Sequence, residues 1–167
     1  MSKSIPEDFL DVAGKLFRQY KKLAEGAFAQ LSDADIQARP NDDSNSIALI
    51  VHHLSGNMIS RWTDFLTSDG EKSWRQRDAE FEDGYSDKRT MMEAWEKGWD
   101  CLFAALNALT PDDLSKSVYI RGERHSVLEA ITRQLAHYPH HIGQILFQAK
   151  ALKGSAFTSL SIPKRKP

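Results

Sequence analysis

The chain has 167 residues, 41% hydrophobic and 27% charged, enough for one domain with a sizeable core and unlike a disordered chain. A net charge of −1 excludes the one-sided positive field with which nucleic-acid binders neutralise phosphates, so no nucleic-acid partner is expected. The single cysteine, Cys101, excludes an intrachain disulfide and cysteine-based zinc motifs, and no apolar run approaches the ~20 residues of a membrane span.

Residues 1–6 carry no apolar signal-peptide core, so the expected compartment is the cytoplasm and no membrane partner is expected. A first helix starts near Pro6, with Glu7 and Asp8 at its positive end, and apolar residues recur at helical spacing from Phe9 to Leu31. The polar stretch 39–46 ends in capping residues for a second helix from Ile47. Ile50, Val51, Leu54, Met58, Trp62 and Phe65 form its apolar face, and Asp69-Gly70 stops it. Residues 71–85 are charged and aperiodic and read as a long loop with Trp74 and Phe81 as anchors, a length often associated with function.

Ser86 or Asp87 caps a third helix through about Leu109. Cys101 lies in its apolar part and reads as a buried, unreactive thiol. Val118-Tyr119-Ile120 reads as a short extended piece before Arg121-Gly122. Ser126 with Glu129 is a capping-box pattern opening a fourth helix that runs to Lys153, with Gly154 as its stop. The basic end Pro163–Pro167 reads as frayed. Four amphipathic segments, roughly 6–31, 46–67, 87–109 and 126–153, predict a single-domain, all-α four-helix bundle over 1–167, with long connections between helices 2 and 3 and helices 3 and 4.

Five of the six histidines fall in two clusters, His52-His53 on the second helix and His137, His140 and His141 on the fourth. Residues four apart share a helix face, so His137 and His141 can point at one ion, and a third ligand must come from elsewhere. At about 100° per residue, the column through His137 and His141 continues to Gln144 and Gln148, beside the apolar arc. On the second helix His53 heads an equivalent column through Asn57, Ser60 and Asp64, whereas His52 lies farther from the apolar arc. His53, His137 and His141 are therefore the candidate ligands, with His52 and His140 as neighbours and His125 exposed at the entrance of the fourth helix. Pro139 stands between the two paired histidines, where it removes a backbone donor. Either the helix kinks there or it begins afresh, and the unbroken periodicity favours the kink. A fresh start would destroy the paired geometry.

The stretch Asn45-Ser-Ile-Ala-Leu-Ile-Val-His-His53-Leu, with Ser55-Gly-Asn57, Arg61-Trp-Thr-Asp-Phe-Leu and Asp69-Gly-Glu-Lys, resembles the DinB-like superfamily, in particular an uncharacterised bacterial branch. His137-Tyr-Pro-His-His141-Ile-Gly-Gln144 resembles the second half of its histidine triad. The resemblance covers nearly the whole chain. It implies a four-helix bundle of up-down-down-up topology, a homodimer, and a divalent ion such as zinc or nickel on His53, His137 and His141. Trp74, Trp95 and Trp99 are candidates for the dimer surface, although core packing more often explains aromatic residues. Better-understood members of that superfamily are thiol-dependent enzymes, such as bacillithiol transferases and mycothiol-dependent maleylpyruvate isomerase. The resemblance thus implies a small-molecule substrate and a low-molecular-weight thiol as co-substrate. Pro139 departs from the pattern, and no residue identifies a particular thiol.

The leading expectation is a metal-dependent enzyme, a thiol-dependent S-transferase or a related hydrolase or isomerase, whose ion lowers the pKa of a water or thiol. Asn57 and Gln144, one turn from ligands, are candidates to orient a ligand's N–H or contact substrate. Arg61 is placed to attract an anionic group or is a solvated surface arginine. Asp64 accepts a proton or pairs with Arg61. The alternatives are a non-catalytic metal- or ligand-binding stress-response protein and an interaction module with incidental histidines.

Overall fold

Each α-helix among the described residues begins at a serine or aspartate whose side chain accepts a backbone N–H from its first turn, answering donors that have no partner inside the helix. Ser4, Ser32, Ser46, Asp87 and Ser126 set the starts of α1 (Ile5–Phe28), α2 (Asp33–Gln37), α3 (Ile47–Trp62), α4 (Lys88–Ala108) and α5 (Val127–Lys153). A two-stranded antiparallel sheet, β1 (Ser117–Ile120) and β2 (Glu123–Ser126), precedes α5. The computed structural model describes residues 3–82 and 84–161 and is mostly helical; the basic segment 163–167 lies outside the described residues.

Three boundaries differ from the sequence expectation. The first helix ends at Phe28 rather than 31, and the capping box of Ser32 and Asp35 starts the short α2. The second ends at Trp62 rather than 67, because Thr63 is extended and Asp64 takes a left-handed φ of 48°. Residues 123–126 form a strand although none is strongly apolar. Arg121 and Gly122, both at positive φ, make the two-residue turn that folds them back on β1. Pro139 lies inside α5, which runs unbroken through it, so the fresh-start alternative fails.

α3 packs along α4 and α1 along α5, while α5 also meets α3 and α1 meets α4. Phe17 of α1 sits among Trp62, Trp99 and Tyr138, with ring centroids 5.9–6.3 Å away. Trp95 and Trp99 are fully buried and so unavailable as a dimer surface, whereas Trp74 is 56% exposed. No described helix is long and apolar enough to cross a membrane.

The segment after α3 is tied down rather than loose. Asp69 Oδ1 and Oδ2 accept the N–H groups of Arg121 and Gly122 at 2.9 and 2.8 Å, and Gly70 N–H donates to Tyr119 O at 2.8 Å. Ser60 Oγ donates to Gly70 O and accepts from Lys72 N–H, each at 3.0 Å. Loop, hairpin and α3 therefore form one frame on the side of α3 that carries His53.

Gly98 lets α4 approach α3 closely: a Cβ there would lie 2.8 Å from Met58 Cε and 3.2 Å from the Ser55 backbone. Gly98→Val is expected to destabilise the fold by about 1–3 kcal/mol through overpacking. Chemical denaturation measures it, and an unchanged midpoint would contradict this packing.

Candidate metal centre

α3 supplies His53, and α5 supplies His137 and His141 one turn apart on one face. The structure brings these three together. His137 Nε2 lies 3.3 Å from His53 Nε2 and 3.1 Å from His141 Nε2. All three ligand atoms fall within 4.8 Å of one another.

The far side of each ring explains why the Nε2 atoms face inward. His53 Nδ1–H donates to Glu80 Oε2 at 3.0 Å, His141 Nδ1–H to Gln144 Oε1 at 2.8 Å, and His137 Nδ1–H to Gln134 Oε1 at 3.3 Å. An oxygen acceptor at Nδ1 places the ring proton there and leaves Nε2 as a lone pair. Three lone pairs then converge with no proton among them, which is unfavourable unless a cation accepts them. A tetrahedral ion with bonds of about 2.05 Å separates its nitrogen ligands by roughly 3.3 Å, close to the spacing present. The donor set fits zinc, nickel or a similar borderline ion. Burial, then the neighbouring His141 and His53 rings, push the His137 pKa down to about 3, and burial also lowers that of His141. Both rings are neutral at pH 7 and free to ligate.

Glu80 is, with Gln134, a functional residue that sequence reasoning missed. It sits in a 3-10 turn, Asp78–Phe81, inside the charged segment read as a loop, and is 5% exposed. Arg75 Nε and Nη2 donate to its two oxygens, each at 2.7 Å. Burial pushes the Glu80 carboxyl up, but the His53 and Arg75 hydrogen bonds outweigh it and leave the pKa below its ordinary value. Glu80 is thus an anion at neutral pH and holds the His53 proton on Nδ1. Phe81 stacks on the same imidazole with centroids 4.8 Å apart. Glu80 reaches His53 only because residue 56 is glycine, where a Cβ would overlap Glu80 Oε1. The clue in the sequence was Gly56, three residues after His53.

The other singled-out residues are distributed around this centre. Asn57 is buried, and its Oδ1 accepts from Tyr138 O–H at 3.1 Å, which itself accepts from Trp62 Nε1–H at 3.0 Å. Gln144 is exposed and bridges His141 and His140, donating to His140 Nε2 at 3.3 Å. Arg61 is 3% exposed, so the solvated-surface alternative fails; its Nη2 lies 4.0 Å from Glu71, while Asp64 is exposed and unpaired with it. His52 packs edge-on against Tyr85. His125 is half-buried on β2 opposite Val118, not exposed at a helix entrance. Cys101 is only half-buried, with its thiol 3.5 Å from Thr63 Oγ1, rather than enclosed in the core.

A cavity of about 570 Å³ opens beside His53 and His137, with Asn57, Arg61 and Gln134 among its walls. That is a small-molecule volume adjoining the point where the lone pairs meet. The arrangement could therefore hold a metal ion on three nitrogens, with one side open to the cavity.

Outer-shell carboxylates of this kind typically contribute 10–100-fold to metal affinity. Glu80→Ala, and Gly56→Ala by displacing Glu80, are expected to weaken zinc binding by about that factor. Competition against a chromophoric chelator, with helicity checked by circular dichroism, measures it; unchanged affinity in both variants would contradict the assignment of Glu80.

Comparison with known proteins adds a family but no activity. No curated protein and no solved structure matches the chain. A family model described as "Protein of unknown function (DUF1572)" matches residues 4–166, a span that takes in the three histidines, Glu80 and Arg61. The chain belongs to the DUF1572 family.

Proposed function

We propose that this protein is a metal-dependent enzyme built on a DinB-like four-helix bundle of up-down-down-up topology, with a divalent ion held by His53, His137 and His141. The observation that carries this reading is the inward convergence of three Nε2 atoms whose Nδ1 partners are all oxygen acceptors. The order of contacts among α1, α3, α4 and α5 supports the bundle, and the placement of the ligands on α3 and α5 agrees with the superfamily's histidine pattern.

A divalent ion bound there, zinc or nickel by its donors, supplies Lewis acidity that lowers the pKa of a water or thiol. The chain's own groups do the rest. Glu80, Gln134 and Gln144 hold the imidazoles in one tautomer, and Phe81 covers the His53 ring. Asn57 and Arg61 line the cavity in which a small-molecule substrate is bound and oriented, while Gln144 acts through His141. The reaction class follows the resemblance: transfer to or from a low-molecular-weight thiol, or a related hydrolysis or isomerisation. A homodimer in the cytoplasm belongs to the same reading.

The cavity beside the histidines favours catalysis over a closed metal sensor, because a structural site would fill all four positions with protein ligands. Elemental analysis of the wild type is expected to find about one metal per chain, and His53→Ala and His141→Ala to lose it. In the cobalt-substituted protein, the electronic spectrum is expected to change on adding a thiol. A metal-free wild type overturns the metal centre. A cobalt spectrum indifferent to thiols and to water exchange supports the non-catalytic alternative instead.

A further inference from the structure

The walls of the cavity beside the histidines carry four guanidinium groups, from Arg61, Arg77, Arg121 and Arg133, and no carboxylate. Their elements converge for structural reasons: Arg61 lies in the last turn of α3, the hairpin turn presents Arg121, and Arg133 lies one turn before His137 on α5. Arg77 stands over the Phe81 ring, 5.7 Å from its centroid, and Phe81 in turn stacks on His53.

The nearby anions offset only part of this charge. Glu80 is engaged by Arg75 and His53, and Glu71 is shared among Arg75, Arg121 and Arg61 at 3.3 to 4.0 Å. Asp69 is taken by backbone N–H groups. Arg61 is the most telling of the group. It is 97% buried, and its Nε and Nη1 have no hydrogen-bond partner among the described residues. A buried guanidinium with unanswered donors is costly. The close backbone of Gly70, where a Cβ would lie 2.5 Å from Nη1, leaves space for it beside the cavity.

From the four converging arginines, the buried and incompletely partnered Arg61 among them, and the open cavity they line, we propose that this wall binds an oxyanion, a carboxylate or a phosphate. It is carried by the substrate whose reacting end lies toward His53 and His137. The planar forks of arginine suit paired oxygens, and the site selects anionic over neutral substrates of similar size. The second half of this statement rests on the metal-centre reading, whereas the anion site itself does not require it.

Isothermal titration of the metal-free protein and of the zinc-loaded protein tests it, with succinate, inorganic phosphate and the uncharged succinamide as probes. At least one anion is expected to bind the metal-free protein, and succinamide is not. Succinate alone identifies a carboxylate site; phosphate alone identifies a phosphate site. Arg77 and Arg133 are exposed, so the double variant Arg77→Gln/Arg133→Gln is expected to fold normally and to weaken the anion at least about tenfold. Arg61→Lys is expected to weaken it similarly, and if that variant misfolds the double variant decides alone. Anion binding that survives without zinc affinity sustains this proposal and removes the metal reading. Zinc binding with no anion binding, or anion binding indifferent to the double variant, overturns this proposal alone.

Discussion

Three imidazole nitrogens gathered within 4.8 Å of one another, with that of His137 3.3 and 3.1 Å from those of His53 and His141, dominate the physics of this molecule. Left to themselves, imidazoles in contact share a proton, one donating to the next. Here Glu80, Gln134 and Gln144 each offer an oxygen acceptor to the outer nitrogen of a ring, which favours the proton there and would leave the inner nitrogens mutually repulsive. A cation among them would relieve that repulsion. The capped helices and the unbroken α5 make that geometry possible, because His137 and His141 must remain one helical turn apart despite Pro139.

The supporting shell is assembled from segments distant in sequence. Asp69 and Gly70 fasten the loop after α3 to the β1–β2 hairpin, and Ser60 fastens the same loop to α3. That frame places Arg75 and Glu80 behind His53 and Arg61 and Arg121 around the cavity. Two glycines set its tolerances: Gly56 admits Glu80 to the helix surface, and Gly70 admits the Arg61 guanidinium. One side of His53 is thus anionic and closed, while the side facing the cavity is cationic and open. A ligand entering from the cavity meets positive charge first and the histidines next.

Much of this was legible in the sequence, because helix periodicity and capping are local. The starts near Ile47 and Val127 follow from Ser46, Ser126 and Glu129. The spacing of His137 and His141, with His53 beside an apolar arc, already selected the cluster found in the structure. Other features depended on contacts between remote segments. Glu80 lies in an aperiodic run, and nothing local distinguishes it from Glu71 or Glu82. The burial of Arg61 is not legible locally because its cover, the folded-back loop at Gly70, is a tertiary feature. The strand 123–126 is polar and depends on the Arg121-Gly122 turn, and the end of α3 depends on Asp64 accepting a left-handed backbone.

The tautomeric state of the three imidazoles tests the central claim most directly. Long-range proton–nitrogen correlation spectra of the protein labelled with nitrogen-15 distinguish Nδ1–H from Nε2–H for each ring. The account expects His53, His137 and His141 all to carry the proton on Nδ1, with their Nε2 resonances shifting together when zinc is added. A proton on Nε2 of any of the three in the zinc-loaded protein, or Nε2 resonances that ignore zinc, would contradict it.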